Sequence, residues 1–253
     1  MTRNALMEAF RRVEKHGVHR FFRPLLTPNL ETISRTVQGT WHDPRDFVAF
    51  LVGGTEVNFA QLAQEFDLVE ARLQTERKIG ALRYPAEWRM ENESALAVYS
   101  LVRAFRPEVV VETGVANGES TSVILSALAK NGRGSLTSID VSRDVGSLIP
   151  TELKRLWNLV ILTEPHDRSL RKALADLGRL DVFLHDSCHE YRWQTLEFES
   201  AYEKMGQEGY LLSDDIDWSY AFIDFVERRH VRAAALIGTR KVFGGIEIDR
   251  TPS

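Results

Sequence analysis

A single cysteine, Cys188, occurs in 253 residues, so no internal disulfide can form and the fold rests on its core. No apolar run approaches the ~20 residues needed to cross a bilayer, which excludes a helical membrane span. Lysine and arginine number 32 against 36 aspartates and glutamates, a formal charge of −4. Neither sign gathers into a block that would track a phosphate backbone, so a small-molecule acceptor is expected and nucleic acid is not. The N-terminus alternates charge with apolar residues instead of presenting an apolar signal core, which makes the cytoplasm the expected location. Internal repeats and low-complexity tracts are absent. The length suits one α/β domain with an appendage.

The informative stretch runs from Glu108 to Asp140. Val109 to Val111, β-branched and apolar, meets a glycine-rich turn and then an amphipathic segment from Ser120 to Ala129, a strand, tight loop and helix in succession. Gly114 and Gly118 let the loop adopt positive φ or approach a ligand closely. The helix that follows presents free N–H groups and the positive end of its dipole. Asp140 ends the next strand, Ser135 to Ile139, at the distance where an acidic side chain accepts hydrogen bonds from ribose hydroxyls in doubly wound sheets. An adenosine-bearing cofactor is implied.

Dinucleotide loops use G-x-G-x-x-G, whose second glycine makes room for a pyrophosphate. Here the spacing is Glu112-x-Gly114-x-x-x-Gly118, without that middle glycine, and no Y-x-x-x-K pair is evident, both of which count against a nicotinamide-dependent oxidoreductase. The pattern resembles motif I of the class I S-adenosylmethionine-dependent methyltransferases, whose cofactor carries no phosphate. The resemblance implies S-adenosylmethionine as cofactor, with Glu112, Gly114, Gly118, Ser120, Thr121, Asp140 and Asp186 as its binding residues.

Residues 1–83 carry helical periodicity broken at Pro24 to Pro28 and Gly39 to Pro44, and are expected to form a helical cap. Phe47, Phe50, Leu51, Phe59, Leu62, Phe66 and Val69 form a stripe whose plain reading is core packing, with the lining of an acceptor pocket as the alternative. The cap is also the expected source of acceptor specificity. Ala5, Leu6, Phe10 and Val13 would bury against the same domain or a second subunit, so a homo-oligomer is open. From residue 84 to 253 the chain alternates strands and helices, which predicts a mostly parallel, doubly wound α/β sheet. Ala233 to Ile237 and Val242 to Ile248, joined by so short a connection, can form only an antiparallel hairpin. The family resemblance supplies the expectation of seven strands.

A second constellation follows Val182 to Leu184: His185, Asp186, Cys188, His189, Glu190 and Tyr191. Its counterpart, Ser213-Asp214-Asp215-Ile-Asp217, follows Tyr210 to Leu212. Ligands in open α/β sheets bind beyond the carboxyl ends of the strands, and neighbouring strands are ~4.8 Å apart. Asp186, Asp214 and Asp215 could then share a hard divalent cation such as magnesium, which would acidify an acceptor hydroxyl. Asp186-Ser-Cys-His189-Glu-Tyr191 is similar to the D-x-x-H-x-Y segment of small-molecule O-methyltransferases acting on macrolide sugars and catechol-like acceptors. That resemblance implies Asp186, Asp214 and Asp215 as metal ligands, Asp186 and His189 as catalytic residues, and His189 as the general base. The simpler alternatives are a helix cap for Asp214 or Asp215 near Trp218, a structural histidine at His189, and a buried thiol at Cys188. Thr163 to Ser169 is expected to edge the adenine. Trp193 belongs either to the acceptor site or to the core. A noncatalytic binding or assembly module of the same fold is the competing class, because fold does not fix function.

Overall fold

Residues 23–53, 57–80 and 82–250 are described in the computed structural model of the chain; the Ala5 to Val13 face lies outside them. The strands are β1 (Gly39–Trp41), β2 (Val109–Thr113), β3 (Ser135–Asp140), β4 (Trp157–Ile161), β5 (Leu180–His185), β6 (Met205–Ser213), β7 (Arg232–Ile237) and β8 (Val242–Asp249). They form one sheet in the order β1-β7-β8-β6-β5-β2-β3-β4. Only β8 is antiparallel to its neighbours, β6 and β7. The doubly wound sheet and its terminal hairpin are those expected from the sequence, with one strand more.

The additional strand lies in the Gly39 to Pro44 break of the segment expected to form a helical cap. Gly39, Thr40 and Trp41 pair in parallel with Ala234, Ala235 and Leu236 of β7. Three residues inside a turn-like stretch give no alternation to detect, which is why the sequence shows a loop there. The helices around it carry legible starts. Asn29 caps α1 (Leu30–Thr36), Asp43 caps α2 (Pro44–Leu51) and Asn58 caps α3 (Phe59–Ile79), each side chain accepting from a backbone N–H of the first turn. The remaining helices are α4 (Asn92–Phe105), α5 (Glu119–Asn131), α6 (His166–Leu177), α7 (Tyr191–Tyr202) and α8 (Ala221–Arg229). None of the described helices is long and apolar enough to cross a membrane.

Strand residues alternate between two apolar layers, as the two-residue period of a pleated strand requires. Val110, Val182, Leu184 and Leu212 pack with α2 to α5. Val111, Phe183, Leu211 and Ile246 pack with α1 and α6 to α8. The aromatic stripe of the N-terminal segment belongs to the first layer: Phe47, Leu51, Leu62, Phe66 and Val69 are buried, and Phe50 and Phe59 pack against it. Gly244 and Gly245 make this possible from β8. A Cβ on Gly245 would lie 2.6 Å from Leu51 and 2.8 Å from Phe47, and one on Gly244 would lie 2.6 Å from Phe222 on the other face.

Phe47 is 1% exposed and meets Phe243 edge-on with ring centroids 6.0 Å apart. Its truncation, Phe47→Ala, is expected to remove ~3–5 kcal/mol. Urea unfolding followed by far- and near-ultraviolet circular dichroism should show one cooperative transition shifted to lower denaturant. A separate early transition of the N-terminal helices would contradict this shared core.

Candidate active site

From β2 the chain runs outward to β3 and β4 on one side, then returns to β5 and β6 on the other. The carboxyl ends of β2 and β5 therefore frame the switch point at which open α/β sheets bind ligands. Gly114, with φ +81°, begins the loop there, and a Cβ on it would lie 2.0 Å from the Asp186 carbonyl oxygen. Only a glycine tolerates both the backbone angle and the contact. The Asp140 carboxylate accepts from the N–H groups of Val115 and Ser142, both at 2.9 Å, and so fastens the loop to the end of β3. Gly118, with φ +89°, opens α5.

Two cavities flank this loop. One, of about 560 Å³, is lined by Gly114, Ile139, Asp140, Leu162, His166 and Trp193, among others. The other, of about 530 Å³, is lined by Trp88, Met90, Ser120, His189, Asp215 and Lys241, among others. Trp88, Val115, Ala116, Asp186 and Ser187 border both, so Asp186 stands where a molecule in one cavity meets a molecule in the other. Leu162 and His166 put the third polar cluster on the edge expected to hold adenine. Trp193 packs against the second apolar layer and also lines the first cavity. Cys188 is exposed rather than buried.

Glu112, Gly118 and Thr121 line neither cavity. Glu112 is fully buried and accepts from the hydroxyls of Thr121 and Ser138. It ties β2, α5 and β3 together beneath the loop and supports the binding surface from below. Its Oε2 has no partner. Burial, opposed by the hydroxyl hydrogen bonds, pushes its pKa up to about 7.

Asp214 and Asp215 follow β6, and Asp215 holds a left-handed φ of 50°. Their shared partner is Lys241, whose Nζ donates to Asp214 Oδ2 at 2.7 Å and Asp215 Oδ2 at 2.9 Å. The hairpin carrying Lys241 is held by Glu91, which accepts from the Arg240 N–H at 3.0 Å. Asp217 also holds it, accepting from the Val242 N–H at 3.1 Å. The magnesium set expected from the sequence does not assemble. Among the described residues no group of three His, Cys, Asp or Glu side chains is arranged to hold a metal, and an ammonium already bridges two of the three carboxylates. Neither aspartate caps α8, whose first N–H, that of Ala221, is met by Ser219 Oγ. Burial raises Asp214 to about 6, with Asp215 adding to the effect and Lys241 opposing it. Burial also lifts Asp186 well above the usual carboxylate range, and the charge of Asp214 lifts it further. At Lys241 burial disfavours the charge, but the two carboxylates outweigh it and the pKa rises.

Glu197, 1% exposed on α7, begins a chain of hydrogen bonds that ends in the second cavity. It accepts from Thr113 Oγ1 at 2.5 Å, Ser187 Oγ at 2.9 Å and His185 Nδ1 at 2.5 Å. His185 Nε2 lies 3.2 Å from His189 Nδ1, and His189 Nε2 lies 3.3 Å from Asp215 Oδ2. The line of contacts runs from α7 through both imidazoles to Asp215, and His189 borders the second cavity. Burial first, then His185 and Lys241, depress the pKa of His189 to about 3, so it is neutral at physiological pH.

Residues 111–216 match a family described as a methyltransferase domain. The fold is shared with an O-methyltransferase from Bacillus cereus solved with S-adenosylhomocysteine (16% identity, TM-score 0.53, 71% of this chain and 88% of that one). It is also shared with the O-methyltransferase TomG of tomaymycin synthesis from Streptomyces achromogenes, solved with S-adenosylmethionine (15%, 0.51, 80% and 94%). A methyltransferase from Geobacter sulfurreducens is similar at 16% identity and TM-score 0.53, over 71% of this chain and 89% of that one. A search of curated proteins gives no match.

Around the two cavities, sequence reasoning missed Glu197, Asn117, Trp88 and Lys241. Glu197 lies on a helix 12 residues beyond His185, and nothing in its neighbourhood marks it. Asn117 sits in the loop itself and accepts through Oδ1 from the N–H groups of Arg83 and Tyr84 at 2.9 and 3.1 Å, which anchors the segment bearing Trp88. Lys241 and Trp88 fall outside the matched residues altogether.

The raised pKa of Glu112 carries a pH signature. The folded chain binds this proton more tightly than the unfolded one, so the stabilisation is complete at acid pH and is lost as pH rises toward and through about 7. Glu112→Gln should flatten that slope, a difference of about 3 kcal/mol between the two ends of the window, measured as urea midpoints from pH 4.5 to 8. A parallel slope in both proteins would show Glu112 ionised in the fold.

Proposed function

We propose that this chain transfers the methyl group of S-adenosylmethionine to a hydroxyl of a small molecule. The observation that carries the reading is the pair of cavities meeting at Asp186, one closed by Asp140 and the other by His189. S-adenosylmethionine supplies an electrophilic methyl on a sulfonium, and the acceptor oxygen bonds to that carbon as the carbon–sulfur bond breaks, its electron pair staying on sulfur. Asp140 receives the ribose hydroxyls while holding the glycine loop, and Leu162 and His166 border the adenine. Asp186, whose carboxylate has no hydrogen-bond partner among the described residues, faces the positive sulfur. His189, neutral and bordering the acceptor cavity, takes the hydroxyl proton as the oxygen bonds to carbon, with Asp215 3.3 Å from its Nε2 to offset the charge. The Bacillus cereus and Streptomyces achromogenes proteins of the same fold are O-methyltransferases, in keeping with this reading.

All residues lining the two cavities fall between Tyr84 and Lys241. Residues 84–253 are accordingly assigned as the catalytic unit, with acceptor choice made by the Pro85 to Met90 segment and the hairpin rather than by the preceding helices. A small-molecule acceptor and a cytoplasmic location belong to the same proposal.

Calorimetric titration with S-adenosylmethionine, S-adenosylhomocysteine and NAD tests the cofactor half. The two sulfur nucleotides should bind and NAD should not, and Asp140→Ala should weaken binding by ~1.5–3 kcal/mol. Preference for NAD, or an unchanged affinity in the variant, would remove this assignment. The proton path is tested separately: His189→Ala should lower turnover ~100-fold or more while leaving cofactor affinity within about twofold. Equal losses in both quantities would mark His189 as structural.

A further inference from the structure

The place at which three acidic side chains were expected to gather a divalent cation already contains one positive charge, that of Lys241. An ammonium has three N–H donors. Two are spent on Asp214 and Asp215, no third acceptor is present among the described residues, and Lys241 lines the acceptor cavity. Asp214 is 0% exposed, and its Oδ1 is without a partner, so one of the two carboxylates that fix the ammonium is shut away from water while Asp215 borders the cavity. The cation is also set from outside the acidic cluster. The Gly238–Lys241 turn, closed by the Gly238 N–H to Lys241 carbonyl bond of 3.0 Å, is tethered by Glu91 and Asp217.

We propose that Lys241 is the resident cation of this active site, that its remaining N–H holds the acceptor oxygen as it loses its proton, and that the acceptor is an isolated phenolic hydroxyl. The proposal rests on the methyl-transfer reading above and deepens it. A divalent metal offers several open positions and chelates two neighbouring oxygens at once. An ammonium with one free donor takes a single oxygen, so a vicinal second hydroxyl contributes nothing here. Trp88 and Trp218, 58% and 62% exposed, both border the same cavity. Flat apolar faces beside a fixed cation suit an aromatic ring whose oxygen becomes negative.

The experiment uses the full chain, 4-nitrophenol as the phenol and manganese(II) alone as the metal. Binding of 4-nitrophenolate, followed by its visible absorbance, should be strong in the wild type and at least about tenfold weaker in Lys241→Met, while S-adenosylmethionine affinity by calorimetry stays within about twofold. The wild type should bind no manganese by electron paramagnetic resonance. Should the uncompensated carboxylates unfold Lys241→Met, as circular dichroism would report, its combination with Asp214→Asn restores the charge balance and should show the same loss of phenolate binding. A wild-type manganese site, undiminished phenolate binding in the lysine variants, or tighter binding of 4-nitrocatechol than of 4-nitrophenol by the wild type would each overturn the proposal. Absence of S-adenosylmethionine binding with these phenolate and manganese results intact would sink the methyl-transfer reading and leave Lys241 as an oxyanion site.

Discussion

The contact between Gly114 and the main chain of Asp186 governs the site. The carbonyl of Asp186 occupies the space a Cβ on Gly114 would need, while the Asp186 N–H donates to Thr113 at 3.0 Å. The loop after β2 and the loop after β5 are thereby locked together at the sheet's switch point. Every other feature is referred to that joint. Asp140 holds the far side of the glycine loop, Asn117 uses the loop to place the Trp88 segment, and Asp186 is left on the wall common to both cavities. A side chain at position 114 would part the two loops and with them the two cavities.

Buried acids around this joint are resolved in three physically different ways. Glu112 is surrounded by hydroxyls and hydrocarbon, so desolvation moves it toward its neutral form. Glu197 is met by two hydroxyls and an imidazole, so its oxygens are partnered where water cannot reach. Asp214 and Asp215 share an ammonium. A buried charge left alone would cost several kcal/mol, and each solution ties together elements far apart in sequence. Glu112 joins two strands to a helix, Glu197 joins β2 and β5 to α7, and Lys241 joins β6 to the terminal hairpin. Structural support and site chemistry are supplied by the same groups. His189 illustrates the point: one ring nitrogen lies against His185, the other lies against Asp215, and the residue borders the cavity.

The amino-acid sequence by itself determined the secondary structure after residue 84 and the location of the cofactor loop. Val109 to Val111, the spacing of Gly114 and Gly118, and Asp140 at a strand end are local patterns whose meaning is set by period and by glycine's freedom, so they survive without knowledge of the fold. The placement of Asp186 and His189 beyond β5 also followed from the strand that precedes them. Tertiary structure decided what those residues touch. Gly39 to Trp41 became a strand only because β7 offers it an edge, and Glu112 turned inward because α5 and β3 cover it. Asp214 and Asp215 are bridged by a lysine from a hairpin 26 residues beyond Asp215. Pairing across such distances depends on which strands lie side by side, and strand order is a property of the folded sheet that no local period encodes.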